Sequence, residues 1–260
     1  MIHELRDLDG LRAACGDDDL IVWAAQDLRG PARAWAGGNA VVAAAPDIAR
    51  HDRLAVWGDP RDAVTLVGHA LAELGPTYRP LGERELMRQV IAMLEGLRDS
   101  AEFTWMSLAA TPGTAPGTAP STVPPSEVGW LDGDAEPEIK ALLAGDAPSS
   151  YAVPGASGVR RWAGVRVGDE LAAVAADAWS APSVGLLAGV ATAARFRGRG
   201  LAERVCGWMS SQLVAAHGRA ALMVDDVNTA AIKVYERIGY RRLPVLACHV
   251  AAPGRHVTAT

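Results

Sequence analysis

Three arginines and two glycines fall within eight residues of this 260-residue chain, Arg195-Phe196-Arg197-Gly198-Arg199-Gly200-Leu201-Ala202. The segment lies between an apolar run, Val184 to Thr192, and a stretch with helical periodicity. Two glycines let a backbone turn tightly and approach a ligand closely. A helix starting there points unpaired N–H groups and its positive dipole end outward. Those are the ingredients of a phosphate cradle. Taken alone, the segment equally fits a tight turn with solvated arginines. It is no dinucleotide fingerprint, because Glu203 stands where G-x-G-x-x-G needs glycine, and no P-loop, because no G-K-[ST] follows.

A second group begins at Asn228 and reads N-x-x-A-x-x-x-Y-x-x-x-G-Y through Ala231, Tyr235, Gly239 and Tyr240. Asn228 suits a helix N-cap. Ala231 and Tyr235 are four apart and share a helix face. Tyr235 also fits as a core aromatic, and Gly239-Tyr240 as an ordinary helix stop before a strand. Asp225 and Asp226 stand just ahead, at the end of an apolar strand. A carboxylate there can act as a base, directly or through water, or can be a solvated strand end. His249 is a weaker candidate base. Cys206 falls mid-helix and reads as packing.

The elements that must position these groups are legible in order. Glu136 to Leu143 is a short helix opened by Pro137. Arg161–Val167 and Glu170–Ala176 form a hairpin turning at Gly168-Asp169. Val184–Thr192 is a buried strand, and Leu201–His217 a helix stopped by Gly218. Ala220–Val224 is a strand, 228–238 a helix, and Tyr240–Val250 a closing strand. The first half repeats the order more faintly. It has a hairpin over 33–45, a strand at Arg53–Trp57 and a helix at Arg61–Leu74. A brief extended piece at Thr77–Pro80, a helix at Glu83–Leu97 and a strand at Glu102–Leu108 follow. Between the halves, residues 111–125 read TPGTAPGTAPSTVPP, with no charge and no large apolar side chain, so the segment reads as a linker.

Composition narrows the classes. Half the residues are apolar and 21% charged, which is globular. The net charge of −5 argues against a non-specific nucleic-acid binder. It is uneven: residues 1–125 carry 11 basic and 17 acidic side chains, residues 126–260 carry 14 and 13. An anionic ligand is better tolerated by the second half. No apolar run approaches the roughly 18 residues of a membrane span. Three cysteines, Cys15, Cys206 and Cys248, make no disulfide framework, and no C-x-x-C pair suggests zinc. The other histidines, His3, His51, His69, His217 and His256, have no partners at ligand spacing, so no metal is expected. The opening MIHELRDLDG has no apolar core of a signal peptide, and the expectation is a cytoplasmic protein.

R-x-x-G-x-G at a strand–helix turn, followed by N-x-x-A-x-x-x-Y-x-x-x-G-[FY], resembles the GNAT superfamily of acyl-CoA-dependent N-acyltransferases. The motifs span 184–240, and the resemblance covers most of 126–260. It is closest to the branch related to glycine N-acyltransferases, whose first half is often degenerate. The resemblance implies an α/β (α+β) fold of tandem GNAT-like domains, each a mixed, mostly antiparallel sheet flanked by helices. Domain bounds follow at 1–110 and 126–260. It implies acetyl-CoA as cosubstrate and a primary amine as acceptor. Arg195, Arg197, Gly198, Arg199, Gly200, Leu201 and Ala202 match the pyrophosphate loop. Val190, Ala191 and Thr192 match the strand that pairs with the pantetheine arm, and an N–H near Val190 would polarise the thioester carbonyl. Asn228 matches the asparagine near the pantetheine, and Tyr235 the tyrosine that protonates the leaving thiolate. Asp226 is the candidate base.

The first half departs from this pattern. Trp57-Gly58-Asp59-Pro60-Arg61-Asp62 offers one glycine, two carboxylates and a proline where the loop should be, and both features oppose phosphate binding. That half is therefore expected not to bind CoA. The acceptor stays open between a small amino-acid-like amine and a protein N-terminus or lysine. A non-catalytic acyl-CoA sensor is the reading from another class. No nucleic-acid or membrane partner is expected, and a homodimer is compatible with the sequence.

Overall fold

The computed structural model describes residues 1–109 and 128–251. The expected linker, 111–125, lies outside them. The first half of the chain contributes β1 (His3–Leu5), α1 (Leu8–Ala14), α2 (Asp19–Ala25), β2 (Arg33–Gly37) and β3 (Ala40–Ile48). It continues with β4 (His51–Gly58), α3 (Pro60–Leu74), β5 (Arg79–Glu83), α4 (Arg84–Met93) and β6 (Leu97–Ala109). The second half contributes β7 (Val128–Leu131), α5 (Glu136–Asp146), β8 (Val159–Val167), β9 (Glu170–Ala178) and β10 (Gly185–Thr192). Then come α6 (Leu201–His217), β11 (Arg219–Val224), α7 (Thr229–Ile238) and β12 (Arg241–Val250). The order strand, helix, hairpin, strand, helix, strand, helix, strand occurs in both halves. The leading region alone differs, with two helices against one.

The described residues form two compact units. One takes Met1–Asp47, His51–Glu102 and the chain from Pro244; the other takes Ile48–Arg50, 103–109 and 128–243. In the first, the strands run β1-β2-β3-β4-β5 and continue through the later part of β12 to the start of β6. In the second they run β7-β8-β9-β10-β11 and end on the later part of β6. The strands of each unit include one parallel pair, β4–β5 and β10–β11 respectively, among antiparallel ones.

The units depart from the expected 1–110 and 126–260 halves at their last strands. β11 pairs antiparallel with β6, from Arg219↔Ala109 to Val224↔Thr104. β5 pairs antiparallel with β12, from Val245↔Glu83 to Ala247↔Leu81. Each sheet thus covers the edge beyond its parallel pair with a strand from the other half of the chain, where an open edge would be a liability. The helix expected over 83–97 stops at Met93, because Gly96 turns the chain at φ +84° and β6 starts at Leu97. α2 gave no periodic signal because every residue from Leu20 to Ala25 is buried.

What positions the second unit's chemistry is α6. Its buried residues Leu201, Val205, Cys206, Met209 and Leu213 recur at three- and four-residue spacing and form one stripe. A leucine or methionine buried this way contributes roughly 1.5–3 kcal/mol. Gly185 at the start of β10 admits the helix: a Cβ there would lie 2.8 Å from Leu213 and 2.9 Å from His217. No helix among the described residues is long and apolar enough to cross a membrane.

Candidate active site

β10 and β11 are paired over three residues only, Gly185↔Ala220, Leu186↔Ala221 and Leu187↔Leu222. Past Leu187, β10 continues beside β9 alone. There the β9–β10 register shifts by one residue between Ala188 and Ala191. The extra residue is a β-bulge, which bends its strand and re-aims the backbone. Gly189 makes it possible: its φ is +61°, and a Cβ would lie 2.6 Å from the Trp162 ring and 3.1 Å from Ala152. The sequence reading placed Val190, Ala191 and Thr192 on this strand, and they are the residues just beyond the divergence. Thr192 Oγ1 is buried and has no partner among the described residues.

The chain then enters a 3-10 turn, Ala194–Phe196, and reaches α6 through Gly198 and Gly200 at φ +76° and +74°. These glycines are required by backbone angle and not by crowding, since a Cβ on either would meet nothing within 4 Å. α6 has no side-chain cap, and its first helical bond runs from Arg204 N–H to Gly200 O. The N–H groups of Leu201, Ala202 and Glu203 precede it and have no helical partner. Open glycines, uncapped N–H groups and a buried orphan hydroxyl fit a ligand with a pyrophosphate and an extended arm. That is the shape of an acyl-CoA.

The three arginines are less free than expected. Arg195 pairs with Glu170 at 2.8 Å. Arg197 pairs with Asp146 at 2.9 Å and donates to Thr192 O at 3.2 Å. Arg199 is in no ion pair among the described residues and lies 5.3 Å from the Phe196 ring. Glu203, an acid in the first turn of α6, has its charge taken up by Arg237 of α7 at 2.7 Å.

At the end of β11, Asn228 Oδ1 caps α7 by accepting from Ala231 N–H at 3.1 Å. Asp226, in the turn after β11, accepts from Thr104 Oγ1 of β6 at 2.6 Å, a sequence-distant contact that local reading could not supply. Tyr235 is 6% exposed, and its pKa is raised well above 10, first by burial and then by Cys206 and Tyr240. It therefore faces α6. Tyr240 meets it edge-on at 6.0 Å. Ser210 donates its single hydroxyl proton to Cys206 O at 2.6 Å, so its 2.8 Å contact with Tyr240 has the tyrosine donating. Tyr240's proton is thus committed. Burial pushes Cys206 up to about 12, which favours the thiol over the nucleophilic thiolate. His249 is exposed on the part of β12 that belongs to the other unit. Among the described residues, no group of three or more His, Cys, Asp or Glu could hold a metal ion.

The corresponding place in the first unit is closed. β4 and β5 stay paired over four positions, Arg53↔Arg79 to Val56↔Gly82. The helix start after β4 is filled by its own side chains: Asp59 Oδ1 accepts from Arg61 N–H at 2.9 Å, and Pro60 has no N–H. Asp62 reaches back to accept from Asn39 N–H at 2.8 Å.

With this geometry in hand, comparison places the fold. Residues 163–249 match the family model described as FR47-like protein. A GNAT-family acetyltransferase from Novosphingobium aromaticivorans is 22% identical, with TM-score 0.54 over 90% of this chain and 98% of that one. A GCN5-related N-acetyltransferase from Kribbella flavida is 19% identical, with TM-score 0.57 over 92% and 97%. Another from Sphaerobacter thermophilus is 14% identical, with TM-score 0.54 over 100% and 98%. No curated protein matches the chain. The chain has the fold of the GNAT acetyltransferases.

Proposed function

We propose that the protein is an acetyl-CoA-dependent N-acetyltransferase acting on a primary amine of a small, amino-acid-like acceptor. The supporting observation is the divergence of β10 from β11 at a bulge that leads into an uncapped, glycine-bearing helix start. Within the loop 195–202, residues 198–202 hold the pyrophosphate through backbone N–H groups, with Arg199 as the side chain free to join them. Val190–Thr192 pair with the pantetheine arm as an added strand would. The Val190 N–H polarises the thioester carbonyl and stabilises the oxyanion. Asn228 lies beside the arm. The first half of the chain, degenerate at its own helix start, does not bind CoA. That degeneracy supports a kinship with the branch related to glycine N-acyltransferases.

A primary amine has a pKa of about 10 and must lose a proton before it attacks. Asp226 takes that proton directly or through water. Tyr235 gives its own to the departing thiolate. Holding both substrates together supplies much of the acceleration, so attack is direct and no covalent enzyme intermediate is needed.

Replacing Tyr235 by Phe is the test. Turnover measured by thiol release should fall about 100-fold, with acetyl-CoA affinity kept. Because burial lifts Tyr235 well above 10, it keeps its proton while the amine loses one. Wild-type activity should therefore rise toward pH 10 with no falling limb from this residue. Unchanged turnover in the Phe variant would remove Tyr235 from the role.

A further inference from the structure

Asp146 is the last residue of α5, a position where the negative end of the helix dipole disfavours a carboxylate. No basic residue occupies that last turn to offset it. The side chain is 18% exposed. Its Oδ1 accepts from the Ala194 N–H at 3.0 Å and from Arg197 Nη2 at 2.9 Å. Arg197 in turn donates through Nε to Thr192 O at 3.2 Å. One carboxylate oxygen therefore fastens both the backbone and a side chain of the segment between β10 and α6. The segment's first part is also held by the 3-10 turn, with Phe196 N–H on Ala193 O at 2.8 Å, but the two glycines that follow have positive φ and open space around them. Such a turn would sample many conformations without a tether.

We infer that Asp146 is a positioning residue that sets the pyrophosphate loop before acyl-CoA arrives. This rests on the reading that the loop 195–202 holds the pyrophosphate. The carboxylate has two opposed effects. Its bond to Ala194 N–H fixes the loop and favours binding. Its charge repels phosphate and occupies Arg197, which opposes binding. The two are separable by substitution. Asp146→Asn keeps an oxygen for the Ala194 N–H and releases Arg197. Asp146→Ala loses the tether altogether.

The experiment is calorimetric titration of CoA, and of pantetheine, which lacks the pyrophosphate, into the full chain and its variants. Loss of the Ala194 N–H bond, partly offset by removal of the carboxylate charge and release of Arg197, should weaken CoA about tenfold in Asp146→Ala, while Asp146→Asn stays within about twofold of wild type or binds tighter. Pantetheine affinity should not change in either. Wild-type CoA affinity in Asp146→Ala, or equal weakening of both variants, overturns the inference. Gly198→Asp in parallel separates the two claims. If it abolishes CoA binding while Asp146→Ala does nothing, the tether alone is wrong. If it leaves CoA binding intact, the pyrophosphate placement falls, and the tether's role with it.

Discussion

The starts of α3 and α6 stand at the same step of a repeated order of elements, and they have opposite chemistry. α6 begins after two glycines, has no side-chain cap and follows a strand that has left its parallel neighbour. α3 begins one residue after β4, is capped by Asp59 and opens on Pro60. Gly58 there has no room for a side chain, because Asn39 O occupies the space. At Gly198 and Gly200 the same residue type faces open space. One architecture thus leaves N–H groups unused at one helix start, where the anion site is proposed, and consumes them with its own side chains at the other. The difference lies in four or five residues per site, not in the fold.

Breaking the second unit outright would have the largest effect. A chain starting at residue 111 lacks 104–109, which pair along the whole of β11. It should fail to give a soluble, cooperatively unfolding protein. A soluble and active remainder would show that β11 tolerates an open edge and that the strand exchange is dispensable. The smallest effect is expected at the closed helix start. Asp59→Ala removes an N-cap worth about 1 kcal/mol, and should lower the melting temperature by about 2–4 °C. Acetyl-CoA affinity should be untouched. A change in that affinity would mean the first unit takes part in binding after all.

Much of this contrast was readable in the sequence because it is local. Proline, two aspartates and a lone glycine after Trp57 oppose phosphate binding, and R-x-R-G-R-G supplies the ingredients of a phosphate cradle. Leu201–His217 and 229–238 were found because glycines stop both helices and their apolar residues keep one face. The bulge was missed. Gly189 inside LLAGVAT reads as one more strand residue, although a glycine within a strand is itself a bulge signal. The strand exchange was out of reach, since nothing in β6 or β12 states which edge it will cover. Asp146 was passed over for the same reason. Its partners, Ala194 and Arg197, lie 48 and 51 residues away. The Thr104–Asp226 bond spans 122 residues and is equally invisible.

The claim that one helix start binds acyl-CoA and the other does not is tested most directly by calorimetric titration of acetyl-CoA into wild type and Gly198→Asp. The account predicts one site per chain, with binding abolished by the added carboxylate. Two sites per chain, or one that survives the substitution, would contradict it.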